Sequence, residues 1–231
     1  MIKISLQDAI KRMERLVVDE VKDGFIVGLG SGSTVARFIE TLASRIKECG
    51  LKVRFVPSSL QIQLVADKFG LSLEDPGKVS GLDLTVDSAD QVDEGLNLIK
   101  GGGGALLREK VLISASKKTI ILIDEKKYSK KLNRAVPIEV LPFARSFVFE
   151  QLKAMNGKPQ LRVNEKGYPI LTENSNLIFD TEFGEIEDPS SLERKVKEIP
   201  GIIEVGIFTK NIHRVVMAKE DGSVAVLSSR L

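Results

Sequence analysis

From Asp87 the chain runs Asp87-Ser-Ala-Asp90-Gln-Val-Asp93-Glu-Gly-Leu-Asn-Leu-Ile-Lys100-Gly101-Gly102-Gly103-Gly104-Ala-Leu-Leu-Arg-Glu109-Lys110. Carboxylates able to move protons, a lysine able to hold an anionic oxygen and an unbroken glycine tetrad share one short run. Adjacent glycines lose much backbone entropy on folding, so a fold keeps them where the main chain turns tightly or approaches a ligand. The acidic stretch admits three readings: the wall of a pocket, a solvated loop capping a later helix, or a magnesium chelate of Asp87, Asp90 and Asp93. Its spacing departs from the alternate-position ligands of a calcium loop. Lys100 is either an anion holder or a solvated charge. Glu109 projects from the first turns of the next helix, where a carboxylate also serves as an ordinary dipole partner.

A second candidate is Gly28-Leu-Gly30-Ser31-Gly32-Ser33-Thr34. It sits where an apolar strand passes into a helix, a junction whose free N–H groups and helix dipole favour an anion. The final glycine of a dinucleotide fingerprint would fall on Ser33, and the lysine of a Walker loop is missing. Hydroxyls at Ser31, Ser33 and Thr34 suit a phosphate monoester; the plain alternative is a turn with an N-cap serine.

The elements that must position these groups follow from periodicity. Leu6, Ala9, Ile10, Met13, Leu16, Val17 and Val21 recur at helical spacing after Ser5, with Asp8 in the first turn. Then come a strand at 25–29, a helix from 35, strands at 51–56 and 82–86 around a helix at 60–69, a helix at 105–115 and a strand at 119–124. Such alternation predicts an α/β fold with a mostly parallel, Rossmann-like sheet covered by helices on both faces. After Asp124 the pattern changes. A basic stretch and a Pro-punctuated segment through Pro142 lead to helices at 147–155 and 192–199 interleaved with strands at 160–163, 177–183 and 202–208. That is the pattern of a small α+β unit of split βαβ type. A hairpin of 214–218 and 224–227 closes the chain. The expected division is 1–129 with 206–231 as the larger domain and 130–205 as a lid.

Composition bounds the partners. With 231 residues, 42% apolar and 29% charged, the chain reads as soluble and globular, long enough to bury a sizeable core. Lys and Arg number 34 against 32 acids, and no block of like charges marks a nucleic-acid arm or a polybasic membrane patch. No stretch approaches a membrane span, and charges interrupt the first residues where a signal core would lie, so the expected location is cytoplasmic. The lone Cys49 reads as a buried or inert thiol. His213, between polar residues, reads as a surface histidine, and one histidine with one cysteine argues against a typical zinc site.

Taken together, Gly28–Thr34, Asp87–Lys110, Asp124–Lys127, Pro137–Ser146, Asn176–Asp180, Ile199–Gly201 and Val205–Phe208 resemble ribose-5-phosphate isomerase of type A, over nearly the whole length. The resemblance implies metal-independent, cofactor-free interconversion of ribose 5-phosphate and ribulose 5-phosphate in the non-oxidative pentose phosphate pathway. It also implies a Rossmann-like domain with a ferredoxin-like lid, and a homodimer or homotetramer. Carried over by motif, the family's two acids fall on Asp87 and Asp90, its lysine on Lys100 ahead of Gly101, Gly102 and Gly103, and its base on Glu109. The phosphate loop falls on Gly30, Ser31, Gly32, Ser33 and Thr34, with Lys127 on the same side of the substrate. Ser31 stands for the family's threonine, Ser88 for its glycine and Gln91 for its glutamate. The alternatives are a sugar-phosphate-sensing effector domain, for which the chain has no helix-turn-helix extension, and another phosphosugar enzyme, a deaminase or lactonase.

Overall fold

The computed structural model describes residues 5–228. Its first half holds α1 (Leu6–Val18), β1 (Ile26–Leu29), α2 (Gly32–Cys49), β2 (Arg54–Pro57), α3 (Leu60–Lys68) and β3 (Leu84–Ser88). Two short strands, β4 (Gln91–Val92) and β5 (Leu98–Ile99), precede α4 (Leu106–Ser114), β6 (Thr119–Asp124) and β7 (Val136–Val140). There follow α5 (Arg145–Ala154), β8 (Lys158–Leu161), β9 (Leu177–Glu182) and α6 (Pro189–Lys197). The last strands are β10 (Ile202–Val205), β11 (Ile207–Phe208), β12 (Arg214–Ala218) and β13 (Val224–Ser228).

Contacts divide the chain into two units: residues 1–88, 111–128 and 211–231, and residues 89–110 and 129–210. The sequence-based division put 89–110, 129 and 206–210 in the larger unit. Strand pairing explains why they group with the smaller one: β11 pairs antiparallel with β5, and the Lys100 N–H donates to Gly206 O at 2.9 Å.

The larger unit is a six-stranded sheet in the order β13-β12-β6-β3-β1-β2, with only β13 antiparallel. Strand order reverses between β1 and β3, the point at which open α/β sheets take ligands. α1 starts as its sequence dictates, because Ser5 and Asp8 form a reciprocal capping box that satisfies two otherwise orphaned N–H groups. Ala9, Ile10, Met13 and Val17 of α1 join Phe38, Ile39 and Leu42 of α2 and Ile62 of α3 over Val27, Leu29, Leu84, Val86, Ile120 and Leu122 of the sheet. Each large side chain buried there contributes roughly 1.5–3 kcal/mol. Within this apolar layer Glu14 is buried but satisfied, accepting from Arg37 Nε at 2.5 Å and Thr41 Oγ1 at 2.9 Å. Leu112, from the last turns of α4, packs with Val56 and Leu82 in a separate cluster.

The smaller unit contains a four-stranded antiparallel sheet in the order β10-β7-β9-β8. Its chain order is βαββαβ, the split βαβ arrangement. Two corrections to the sequence reading belong here. The Pro-punctuated segment hides an interior strand, β7, and the single strand expected at 202–208 is two. Gly206 is the pivot for both: its N–H donates to Pro137 O at 2.7 Å, after which the chain leaves β7 and pairs with β5. Pro137 is tolerated inside a sheet because its missing N–H faces the side where β10 has ended.

Lys110, at the boundary within α4, ties this unit together. Its Nζ donates to Glu193 and Glu204 carboxylates at 2.7 and 3.0 Å and to Val205 O and Ile207 O at 2.7 and 2.8 Å. It also lies over the Phe208 ring, 4.5 Å from the centroid. Burial pushes the Glu204 carboxyl up, but Lys110, the Val205 N–H and Lys197 together hold it below its ordinary value of 4.5.

Two outcomes follow from this arrangement. A Cβ on residue 206 would stand 2.4 Å from Lys100 O and 2.7 Å from Pro137 O, backbone on both sides. Gly206→Ala is therefore expected to lower unfolding stability by about 1–3 kcal/mol, read from the urea midpoint. Because the folded-state value of Glu204 is depressed, its contribution is present above 4.5 and lost as pH falls through the folded value. Stability of Glu204→Gln should accordingly decline less steeply than that of the parent across this acid range, in urea titrations at stepped pH.

Candidate active site

In the larger unit the candidate phosphate loop and Asp87 are built against each other. β1 ends at Leu29, the Gly30 N–H donates to Val86 O at 2.9 Å, and α2 begins already at Gly32. The stretch expected as a loop is thus shorter, and Ser33 and Thr34 lie in the first turn of a helix. Ser31 is the N-cap residue yet makes no capping hydrogen bond, and the first turn holds no acid. Gly32 has φ of +86°, which a side chain would strain.

Asp87, in β3, is fully buried, and its Oδ1 accepts from the Ser88 N–H at 2.7 Å and the Ser31 N–H at 3.3 Å. The glycine at 30 is obligatory for this carboxylate, since a Cβ there would fall 1.8 Å from Asp87 Oδ1. Ser88, which replaces a family glycine, sits in extended strand backbone and directs its hydroxyl to Ser31 O at 3.4 Å. Its side chain is therefore accommodated. Lys127 stands in the short 3-10 turn that follows β6, capped by Asp124. His213 is exposed, as expected, and its Nδ1 accepts from the Thr119 N–H at 3.1 Å. Cys49 closes α2 with an exposed thiol rather than a buried one.

The smaller unit brings Asp90, Lys100, the glycines and Glu109 together. The hairpin of β4 and β5, extended by β11, sets Lys100 directly after a strand, and the tetrad turns the chain into α4, which carries Glu109. Lys100 Nζ lies 3.3 Å from Glu109 Oε2, with both side chains only 2–3% exposed. Phe208 lies beneath the ammonium at 5.6 Å. Two charges removed from water in this way are tolerable only as a pair; leaving either alone costs about 3 to 5 kcal/mol.

Gly101 and Gly104 take φ of +108° and +81°, and the Gly104 N–H returns to Gly101 O at 2.9 Å, closing a tight turn. Asp90 Oδ2 accepts the Gly102 N–H at 2.8 Å, and a Cβ at 102 would meet that carboxylate at 2.8 Å. A pocket of about 730 Å³ within this unit is lined in part by Asp90, Gly102, Asn133, Arg134, Arg162 and Asp180.

Sequence reasoning missed three contributors. Arg162 donates from Nη1 to Gly101 O and Gly102 O at 2.8 and 3.0 Å, while Asp180 grips the same guanidinium through Nε and Nη2. Lys110 anchors the helix residue beside Glu109. Gln91, noted only as standing for the family's glutamate, is buried; its Nε2 donates to Ser129 Oγ and Asn133 Oδ1, and its Oε1 accepts from the Asn133 and Arg134 N–H groups. A glutamate has no donor for the first two bonds, so the amide suits this setting.

Comparison with known proteins identifies the family. The family profile of ribose 5-phosphate isomerase A (phosphoriboisomerase A) matches residues 54–222. The chain is 41% identical to ribose-5-phosphate isomerase A of Methanosarcina acetivorans, over 90% of this chain and 89% of the relative. It is 42% identical to that of Archaeoglobus fulgidus, over 92% and 96%. The solved ribose 5-phosphate isomerase A of Methanocaldococcus jannaschii superposes with a TM-score of 0.91 at 35% identity, covering 97% of this chain and all of that one. A D-ribose-5-phosphate isomerase solved with phospho-erythronic acid gives the same TM-score and identity, over 96% and 98%. The chain belongs to the ribose 5-phosphate isomerase A family.

Proposed function

We propose that this isomerase interconverts ribose 5-phosphate and ribulose 5-phosphate through an enediolate, with Glu109 as the base. The observation that carries the reading is the buried Lys100–Glu109 pair at 3.3 Å, set where the glycine turn exposes main-chain N–H groups. Glu109 removes the C2 proton of the open-chain aldose; the C–H electron pair becomes the C1–C2 double bond and the carbonyl π pair moves onto O1. The O2 proton passes to O1, the O2–H electron pair becomes the C2 carbonyl bond, and the C1–C2 π pair takes the proton from Glu109 at C1, which completes the ketose. Lys100 and the turn of Gly101, Gly102 and Gly103 hold the developing oxyanion, with the Gly102 N–H shared with Asp90; loss of one donor in such a role typically costs about 3 to 4 kcal/mol. Asp87 and Asp90 open the ring and carry hydroxyl protons. Gly30, Ser31, Gly32, Ser33 and Thr34 hold the phosphate at the start of α2, with Lys127 assisting, because the N–H groups and dipole of a helix start whose first turn holds no acid favour a dianion.

Family membership supports two finer points: work in the cytoplasm, and assembly as a homodimer or homotetramer, which sedimentation equilibrium measures. No helix among the described residues is long and apolar enough to cross a membrane. No metal takes part in the proposed chemistry, so prior treatment with EDTA should leave turnover unchanged; loss on chelation and rescue by magnesium would overturn that point.

Glu109→Gln keeps the shape and removes the basicity. It is expected to lower kcat at least about a hundredfold, with KM close to the parent value. Deuterium from solvent should enter C2 of ribose 5-phosphate with the parent enzyme and far more slowly with the variant. Near-normal turnover in Glu109→Gln would remove that residue from the base role.

A further inference from the structure

We infer that Arg162, held by Asp180, is a positioning residue that sets both the direction and the donor strength of the Gly102 and Gly103 N–H groups. This deepens the proposed function and rests on its assignment of the glycine turn to the oxyanion. The two residues lie far from the turn in sequence: Arg162 follows β8, and Asp180 is in the middle of β9.

The geometry is specific. One nitrogen, Nη1, donates to the carbonyl oxygens of Gly101 and Gly102, while Nε and Nη2 are taken by the two oxygens of Asp180. A planar guanidinium clamped on one edge by a carboxylate cannot rotate away, unlike an ammonium, which is a point charge on a flexible stem. The Arg162 side chain is 13% exposed, so its charge is only partly screened by water.

In a trans peptide the carbonyl and the following N–H point in opposite directions. Fixing Gly101 O and Gly102 O on the guanidinium therefore aims the Gly102 and Gly103 N–H groups away from it. The Gly102 N–H meets Asp90 Oδ2 at 2.8 Å, and the Gly103 N–H has no hydrogen bond among the described residues. A carbonyl that accepts from a cation polarises its own peptide, which makes the N–H at the other end a stronger donor. Glycines with φ of +108° and +81° on either side otherwise leave this turn free to take other conformations. Arg162 supplies the restraint that the turn's own sequence lacks.

The test uses the full-length enzyme and three variants, Arg162→Met, Arg162→Lys and Asp180→Asn, assayed with ribose 5-phosphate and with phospho-erythronic acid as inhibitor. A positioning role for oxyanion donors predicts that Arg162→Met loses at least about tenfold in kcat while KM stays within about threefold. The inhibition constant of phospho-erythronic acid, whose carboxylate has the planar shape and negative charge of an enediolate end, should rise at least about fivefold. Asp180→Asn should shift the same quantities in the same direction by less, and Arg162→Lys should recover part of the loss. A folded Arg162→Met with kcat within about twofold of the parent, or with its loss confined to KM, overturns the inference. If Arg162→Met gives no cooperative unfolding transition, Asp180→Asn decides by the same split between kcat and KM. A parent enzyme inert toward ribose 5-phosphate sinks the proposed function itself, an outcome distinct from an active parent with unaffected variants.

Discussion

The ion pair between Lys100 and Glu109 is the constraint around which the smaller unit is arranged. Neither charge is acceptable in a nearly dry setting without the other, so the fold must deliver a strand end and a helix turn to within 3.3 Å. The three short strands β4, β5 and β11 fix the lysine, the Lys110 network fixes the helix, and the glycine tetrad spans the gap between them. Elements that look dispensable by length, two residues in each of the three strands, are thereby required. The same logic governs the larger unit at smaller scale. Asp87 is buried with main-chain donors from residues 31 and 88, and the space for it exists only because residue 30 has no side chain.

Charge is handled differently in the two units. In the larger, Glu20 gathers Lys118 and Arg214, which hold its carboxyl below the ordinary range. In the smaller, Lys110 faces Glu193 and Glu204 along with two carbonyl oxygens and an aromatic face, four oxygen acceptors that engage all three ammonium hydrogens and share at least one. Such hubs sit where elements distant in sequence must be registered to one another. Arg162 does for a loop what these do for helices and strands.

Much of the fold was legible because its signals are local. Ser5 with Asp8 announces α1, the apolar runs at 119–124 and 214–218 announce strands, and the turn at 220–223 announces a hairpin. What escaped depends on partners far along the chain. Pro137 argues against an interior strand until the side on which its neighbour ends is known, and Gly206 does not reveal that one apolar run serves two sheets. The candidate site divides in the same way. Residues within the 87–110 run carry their chemistry in their spacing. Arg162 acts on that run from 60 positions away, and Gln91, inside it, finds Asn133 42 positions on; no periodicity records such contacts.

The chain passes between its two units at 88–89, 110–111, 128–129 and 210–211. Neither unit is a continuous stretch of polypeptide, so no truncation yields one of them intact, and a ribosome must emit nearly the entire protein before either inventory of strands is complete. Recombination that exchanges a simple N- or C-terminal half would tear both bodies at once. Exchange of either unit as a single terminal cassette is thus closed off by the threading of the backbone itself.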